Sequence, residues 1–115
     1  MNRFEFRVWN KSEKAFIDNE YFKITGTGNV ENFLTENESD PDCVITQFTG
    51  LLDKNGVKIF EGDIVKKYWQ NNNTNGYSAF EVKYNQQHCG FCIAVGNNHQ
   101  YEVIGNIFEN SELLP

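Results

Sequence analysis

Apolar and polar side chains alternate with a period of two in segment after segment of this chain, and that pattern restricts it to a fold built from half-buried β-strands. In Phe4–Trp9, Phe4, Phe6 and Val8 share one face, with Glu5 and Arg7 on the other. Ser78–Tyr84 repeats the pattern, Phe80, Val82 and Tyr84 opposing Glu81 and Lys83, as in an antiparallel strand with one wet face. Towards the C-terminus Tyr101, Val103 and Ile107 alternate with Glu102 and Asn106. Ile104 and Phe108 add apolar groups to the second face, so this strand is expected to be covered on both sides. No heptad, internal repeat or long helical period competes with the alternation.

Turn chemistry divides the strands. Asn10–Lys14 reads as a hairpin loop into a second strand near Ala15–Ile24, and Asp53-Lys54-Asn55-Gly56 is a strong turn signal because Asn and Gly tolerate positive φ. Ile59-Phe60 and Ile64-Val65 are short apolar stretches hinged at Gly62, with a strand expected from Ile64 to Trp69 and a polar hairpin tip at Gln70–Tyr77. Thr25–Asp42, acidic around Glu36–Asp42, is the least patterned segment, in which a short helix could sit at Val30–Leu34. Cys89–Val95 reads as a further strand.

Length and composition set the remaining bounds. At 115 residues folding buries about 65% of the surface of the unfolded chain, enough for one core and not for two. Ten Phe, five Tyr and two Trp are too much apolar area for a disordered chain. No apolar run approaches the ~20 residues of a spanning helix, and the charged start argues against a signal peptide. The net charge of -6, with Lys66-Lys67 as the longest cationic run, disfavours duplex DNA and anionic membranes as partners. Three cysteines, an odd number, point to reduced thiols in a cytoplasm.

Few residues invite chemistry. Cys43, Cys89, Cys92 and His99 have the side chains of a tetrahedral zinc site. However, Cys89 and Cys92 would point to opposite faces of a strand unless the chain turns at Gly90, and packing as small buried hydrophobes explains more of the pattern. Glu61 and Asp63 have same-side spacing on a strand, yet the simpler reading is that Asp63 closes the turn at Gly62 and Glu61 is solvated. Trp9, Trp69, Tyr68 and Tyr77 could form a stacking platform for single-stranded nucleic acid, although such platforms sit in basic grooves. Core packing or a subunit interface suits these aromatics better. No nucleophile elbow, phosphate loop, dinucleotide fingerprint or zinc-protease helix occurs, so neither a catalytic residue nor a cofactor is expected.

Gln47-Phe48-Thr49-Gly50-Leu51, running into Asp53-Lys54-Asn55-Gly56 and Ile59-Phe60-Glu61-Gly62-Asp63-Ile64-Val65, resembles the signature of the YopX family of phage and prophage proteins. Phe4-x-Phe6-Arg7-Val8-Trp9-Asn10 resembles that family's N-terminal stretch, and Val103-Ile104-Gly105-Asn106-Ile107-Phe108-Glu109-Asn110 its C-terminal motif. The resemblance makes Trp9, Gly50, Leu51, Asp53, Gly56, Glu61, Gly62, Asp63, Gly105 and Asn106 the family-motif residues, in structural roles. It implies a mostly β protein of a phage or prophage, acting in the cytoplasm of the host bacterium, and supplies no catalytic residue. Glu61–Val65 is similar to the opening of SH3-like barrels. The expected architecture is one domain over 1–115: an N-terminal β-hairpin and acidic loop (1–42), then a small SH3-like β-barrel of antiparallel strands (43–115). The expected function is a non-enzymatic accessory role through self-association, as a homo-oligomer, and binding of a host or phage protein. The alternatives are a small-barrel nucleic-acid-binding protein and a zinc-binding variant using Cys43, Cys89, Cys92 and His99, with acidic mimicry of DNA a weaker reading.

Overall fold

A computed structural model describes residues 5–71, 73–85, 90–91 and 101–114. The described strands are all paired antiparallel, and among the described residues there is no α-helix. The protein is therefore mostly β, as the alternation requires, and one of its sheets is strongly curled into a half-barrel. The SH3-like form is carried no further than that curl. The chain divides into two compact units, one of residues 5–46 and one holding residues 47–115.

In the first unit β1 (Phe6–Asn10) pairs with β2 (Ala15–Ile17), Trp9 opposite Phe16. The Asn10 side chain accepts hydrogen bonds from the Ser12 and Glu13 amides at 2.9 and 3.1 Å, which closes the hairpin loop as an Asx turn. The strand expected over Ala15–Ile24 is broken. A single 3-10 turn at Asn19–Tyr21 separates β2 from β3 (Phe22–Ile24), and β3 pairs with β4 (Val30–Asn32). Where a short helix could have sat at Val30–Leu34, the chain is strand over Val30–Asn32 and turns after it. Its cause is the Thr25–Asn29 loop, where Thr25 N donates to Asn29 O at 2.8 Å and the chain reverses at Gly28.

β5 (Cys43–Leu52) begins in the first unit and ends in the second. Its later residues pair with β6 (Lys58–Phe60), Phe48 opposite Phe60 and Leu52 opposite Lys58, so β5 bulges between these pairs. β7 (Asp63–Asn71) then forms the centre of a sheet of order β11-β7-β8, with β8 at Thr74–Glu81 and β11 at Tyr101–Asn106. Pairing of β7 with β8 continues to Asn71 opposite Thr74, so the broad tip expected at Gln70–Tyr77 is largely strand. In β11 the register shifts between Val103 and Gly105. That bulge at Ile104 is why its apolar neighbours do not fit a simple two-face pattern. β9 (Tyr84–Asn85) pairs with β10 (Gly90–Phe91), and the rest of Cys89–Val95 lies outside the described residues.

The core of this unit is Ile59, Val65, Val82 and Tyr101, with Leu51, Phe80 and Val103 packed on it. Val65, Phe80, Tyr101 and Val103 occupy one face of the three-stranded sheet, consistent with the period-two pattern.

Candidate functional site

The motif residues are engaged in holding backbone. Asp53 is buried, and its Oδ1 accepts from the amides of Asn55 and Val57 while Oδ2 accepts from Val103 N at 2.9 Å. One carboxylate thus closes the Asp53–Gly56 turn and fastens it to β11, fifty residues away. Asp63, also buried, accepts from Phe60 N at 2.7 Å and so closes the turn at Gly62, whose own amide donates to Val82 O. Half-buried Glu61 donates its amide to Gln47 O. Gly50, Gly56 and Gly62 have φ of +88°, +80° and +87°, the left-handed region that glycine enters without steric cost. Asn106 accepts from the amides of Phe108 and Glu109, and Asn110 Oδ1 accepts from Asn106 N. Gly105 must pass directly beneath that Asn110 side chain. Leu51 packs on the core, and Trp9 is buried edge-on to Phe16 at 4.9 Å.

Of the zinc quartet, Cys89, Cys92 and His99 lie outside the described residues. Cys43 is half-buried. Burial first, and then the nearby Asp40 carboxylate, push its thiol up to about 11. That disfavours the thiolate which a metal ligand or nucleophile requires. Among the described residues no three His, Cys, Asp or Glu side chains cluster as a metal site.

The four aromatics considered as a platform are divided by the fold. Trp9 is in the first unit, and the side chain of Trp69 lies outside the described set. Tyr68 and Tyr77 do meet, directly opposite on β7 and β8, with ring centroids 6.3 Å apart. Lys54 lies over Tyr68 and Lys66 over Tyr77, each 4.4 Å from the centroid. Tyr68 donates its hydroxyl to Glu102 at 2.7 Å, which raises the phenol above its ordinary pKa. Lys54 also reaches Glu102, at 3.8 Å. These groups form the polar face of the β11-β7-β8 sheet, opposite its core face.

A different site comes into view in the first unit. A cleft of about 380 Å³ is lined by Ala15, Phe16 and Ile17 of β2, by Asp18 just after it, and by Tyr21 and Leu34. Leu34 is 63% exposed and Tyr21 41%. Tyr21 and Leu34 are held by Phe33 N, which donates to Tyr21 O at 2.9 Å, and by Leu34 N, which donates to Asn32 Oδ1 at 3.0 Å. Glu13 and Asp18 add carboxylates. Asn10, Asn32 and Thr35 complete the lining, so apolar and polar groups are mixed in it, and Arg7 lies over the Phe16 ring at 4.6 Å.

The family model described as YopX protein matches residues 5–115. The chain belongs to the YopX family. It is also similar to protein EF1440 from Enterococcus faecalis, whose crystal structure superposes with a TM-score of 0.59 at 30% identity, covering 96% of this chain and 97% of that one. No curated protein matches it. The YopX motif therefore reads as a set of turn closures, which is why its residues could be found in the sequence. The cleft was missed because Phe16, Ile17, Tyr21 and Leu34 belong to no motif and meet only when β3 and β4 pair. The one available signal was apolar Phe33-Leu34 within an acidic, otherwise polar segment.

Proposed function

We propose that this YopX-family chain is a non-enzymatic accessory protein of a phage or prophage, working in the host cytoplasm by self-association and by holding a protein partner. The observation that carries the reading is a contrast between two sets of side chains. The motif carboxylates Asp53 and Asp63 are buried and occupied by backbone amides, while accessible apolar side chains gather at an acid-lined cleft. Groups committed to backbone bonds are poorly placed to act on a substrate. An apolar recess with a polar, charged margin has the make-up of a protein-docking surface.

Affinity capture from phage-infected host cells, combined with light scattering of the purified chain, tests both halves. A specific co-purifying protein and a mass above that of the monomer support the reading. A strict monomer at high concentration removes self-association, and the absence of any specific partner removes the rest.

Tyr68 and Tyr77, flanked by Lys54 and Lys66, favour a second reading in which this sheet face stacks on single-stranded nucleic acid. Anisotropy titration with labelled single-stranded DNA at low salt decides it. Saturable binding lost in Tyr77→Ala supports it, and no binding under those conditions ends it.

A further inference from the structure

We propose that a second copy of this chain pairs antiparallel with the outer edge of β8, joining two three-stranded sheets into one of six strands across a two-fold axis. The proposal rests on the self-association reading above and names the surface through which it occurs.

The two edges of the β11-β7-β8 sheet are finished differently. Along β11 the outward groups are taken up by the Asp53 turn, since Lys54 N donates to Tyr101 O and Val103 N to Asp53 Oδ2, each at 2.9 Å. Along β8 they are not. Val82 N donates to Asp63 O at 2.9 Å, in the register that sets Glu81 opposite Ile64, so the hydrogen-bonded positions of β8 are its even-numbered residues. The N–H and C=O groups of Tyr77 and Ala79 therefore point away from β7, and among the described residues they have no hydrogen-bond partner. Beside them opens a groove of about 540 Å³, lined by Tyr77, Ser78 and Ala79 and by the C-terminal residues Glu112, Leu113 and Leu114. Consecutive residues of β8 line it, and among the described lining residues none belongs to β7 or β11. The groove thus lies beside the strand and not over a face of the sheet.

Natural sheets protect such an edge with lysine, proline or a bulge. β8 has none of these: its eight pairs with β7 run without a register shift, and residues 74–80 hold neither charge nor proline. Charge then favours a second copy as the occupant. Two chains of net charge -6 repel each other, and an uncharged edge is where they approach with least opposition. In a two-fold pairing centred on Tyr77 or Ser78, at the middle of β8, Glu81 of one copy falls opposite Asn73 or Asn75 of the other, so like charges do not meet. Exposed Tyr77 and Leu113 supply apolar surface on either side. Because the β11 edge is already closed, the pairing stops at two copies.

The test is sedimentation equilibrium of the full chain in about 1 M sodium chloride, where charge repulsion is screened, with amide hydrogen exchange read at Tyr77 and Ala79. A dimer is expected, with exchange at both amides slowed at least about tenfold between dilute and concentrated samples. Ala79→Pro removes one outward N–H from each copy without taking a ladder bond from β7. It should raise the dimer dissociation constant about tenfold or more while circular dichroism is unchanged. If that variant misfolds, exchange in the parent chain decides the matter by itself. A dimer whose Tyr77 and Ala79 amides exchange as in the monomer, or one of unchanged affinity in folded Ala79→Pro, overturns the proposal and leaves self-association standing at another surface. A parent chain that is monomeric at every concentration overturns both. A captured host or phage protein that slows the same two amides while the purified chain stays monomeric gives the edge to a foreign strand, and likewise overturns pairing between copies.

Discussion

At Gly105 an added Cβ would come within 2.6 Å of Asn110 Oδ1, an atom that cannot simply swing away because it accepts the Asn106 amide. Gly105→Ala should therefore cost about 1 to 3 kcal/mol, the usual range for forcing an extra methyl into a filled space. The same change made on an Asn110→Ala background should cost much less, because the obstructing side chain is gone. A double-mutant cycle by urea denaturation reads this coupling directly; equal cost on both backgrounds would show that the glycine is demanded by something else. At Cys43 the relevant quantity is reactivity. With a thiol pushed up to about 11 by burial and by Asp40, the thiolate fraction at pH 8 is far below that of an ordinary cysteine. Iodoacetamide should label Cys43 in the folded chain at least about tenfold more slowly than in urea, as followed by peptide mass spectrometry. Labelling at the unfolded rate would remove the argument against a reactive or metal-binding Cys43.

At the scale of elements, the connection over residues 25–42 behaves as built structure. Asn32 Nδ2 donates to Asp40 Oδ2 and Asp42 N to Asp40 Oδ1, each at 2.9 Å, while the backbones of Asn32 and Asn37 bond each other. The hydrogen bond from Asn32, followed by that from Asp42 N, holds the Asp40 carboxyl below its ordinary pKa. The native state thus favours the charged form more than the unfolded chain does. The stability this contributes is complete above the ordinary carboxylate range, and it is lost as pH falls through that range to the lowered value. Between pH 6 and 3 the parent chain should lose more amide protection at Val30 and Asn32 than Asp40→Asn, after correction for intrinsic exchange. Equal losses in both chains would count against the carboxylate. These bonds also explain what could be read from sequence. β1, β8, β11 and the Asp53–Gly56 turn announce themselves because alternation and Asn-Gly chemistry are local. β4 is not legible in the sequence, where a short helix could equally sit at Val30–Leu34, because its strand character comes from the loop at Thr25–Asn29 and from side-chain bonds spanning eight residues, which no local period encodes. The cleft followed the same rule, since its walls are assembled by that pairing.

For the molecule as a whole, sign and distribution of charge decide how association responds to salt. Each chain carries -6, with nine of its sixteen carboxylates in residues 5–46, so two copies repel at long range whichever faces they bring together. Raising salt from about 0.1 M to about 1 M shortens the screening length from ~10 Å to ~3 Å and removes most of that repulsion, while apolar contacts are left intact. Self-association through apolar and aromatic surfaces should therefore strengthen with salt. Light scattering across a sodium chloride series should show the mean mass climbing from 13.3 kDa towards twice that value. A mean mass that falls with salt would mean that copies meet through ion pairs, and a mass fixed at the monomer throughout would leave the partner, and not a second copy, as the only proposed associate of this chain.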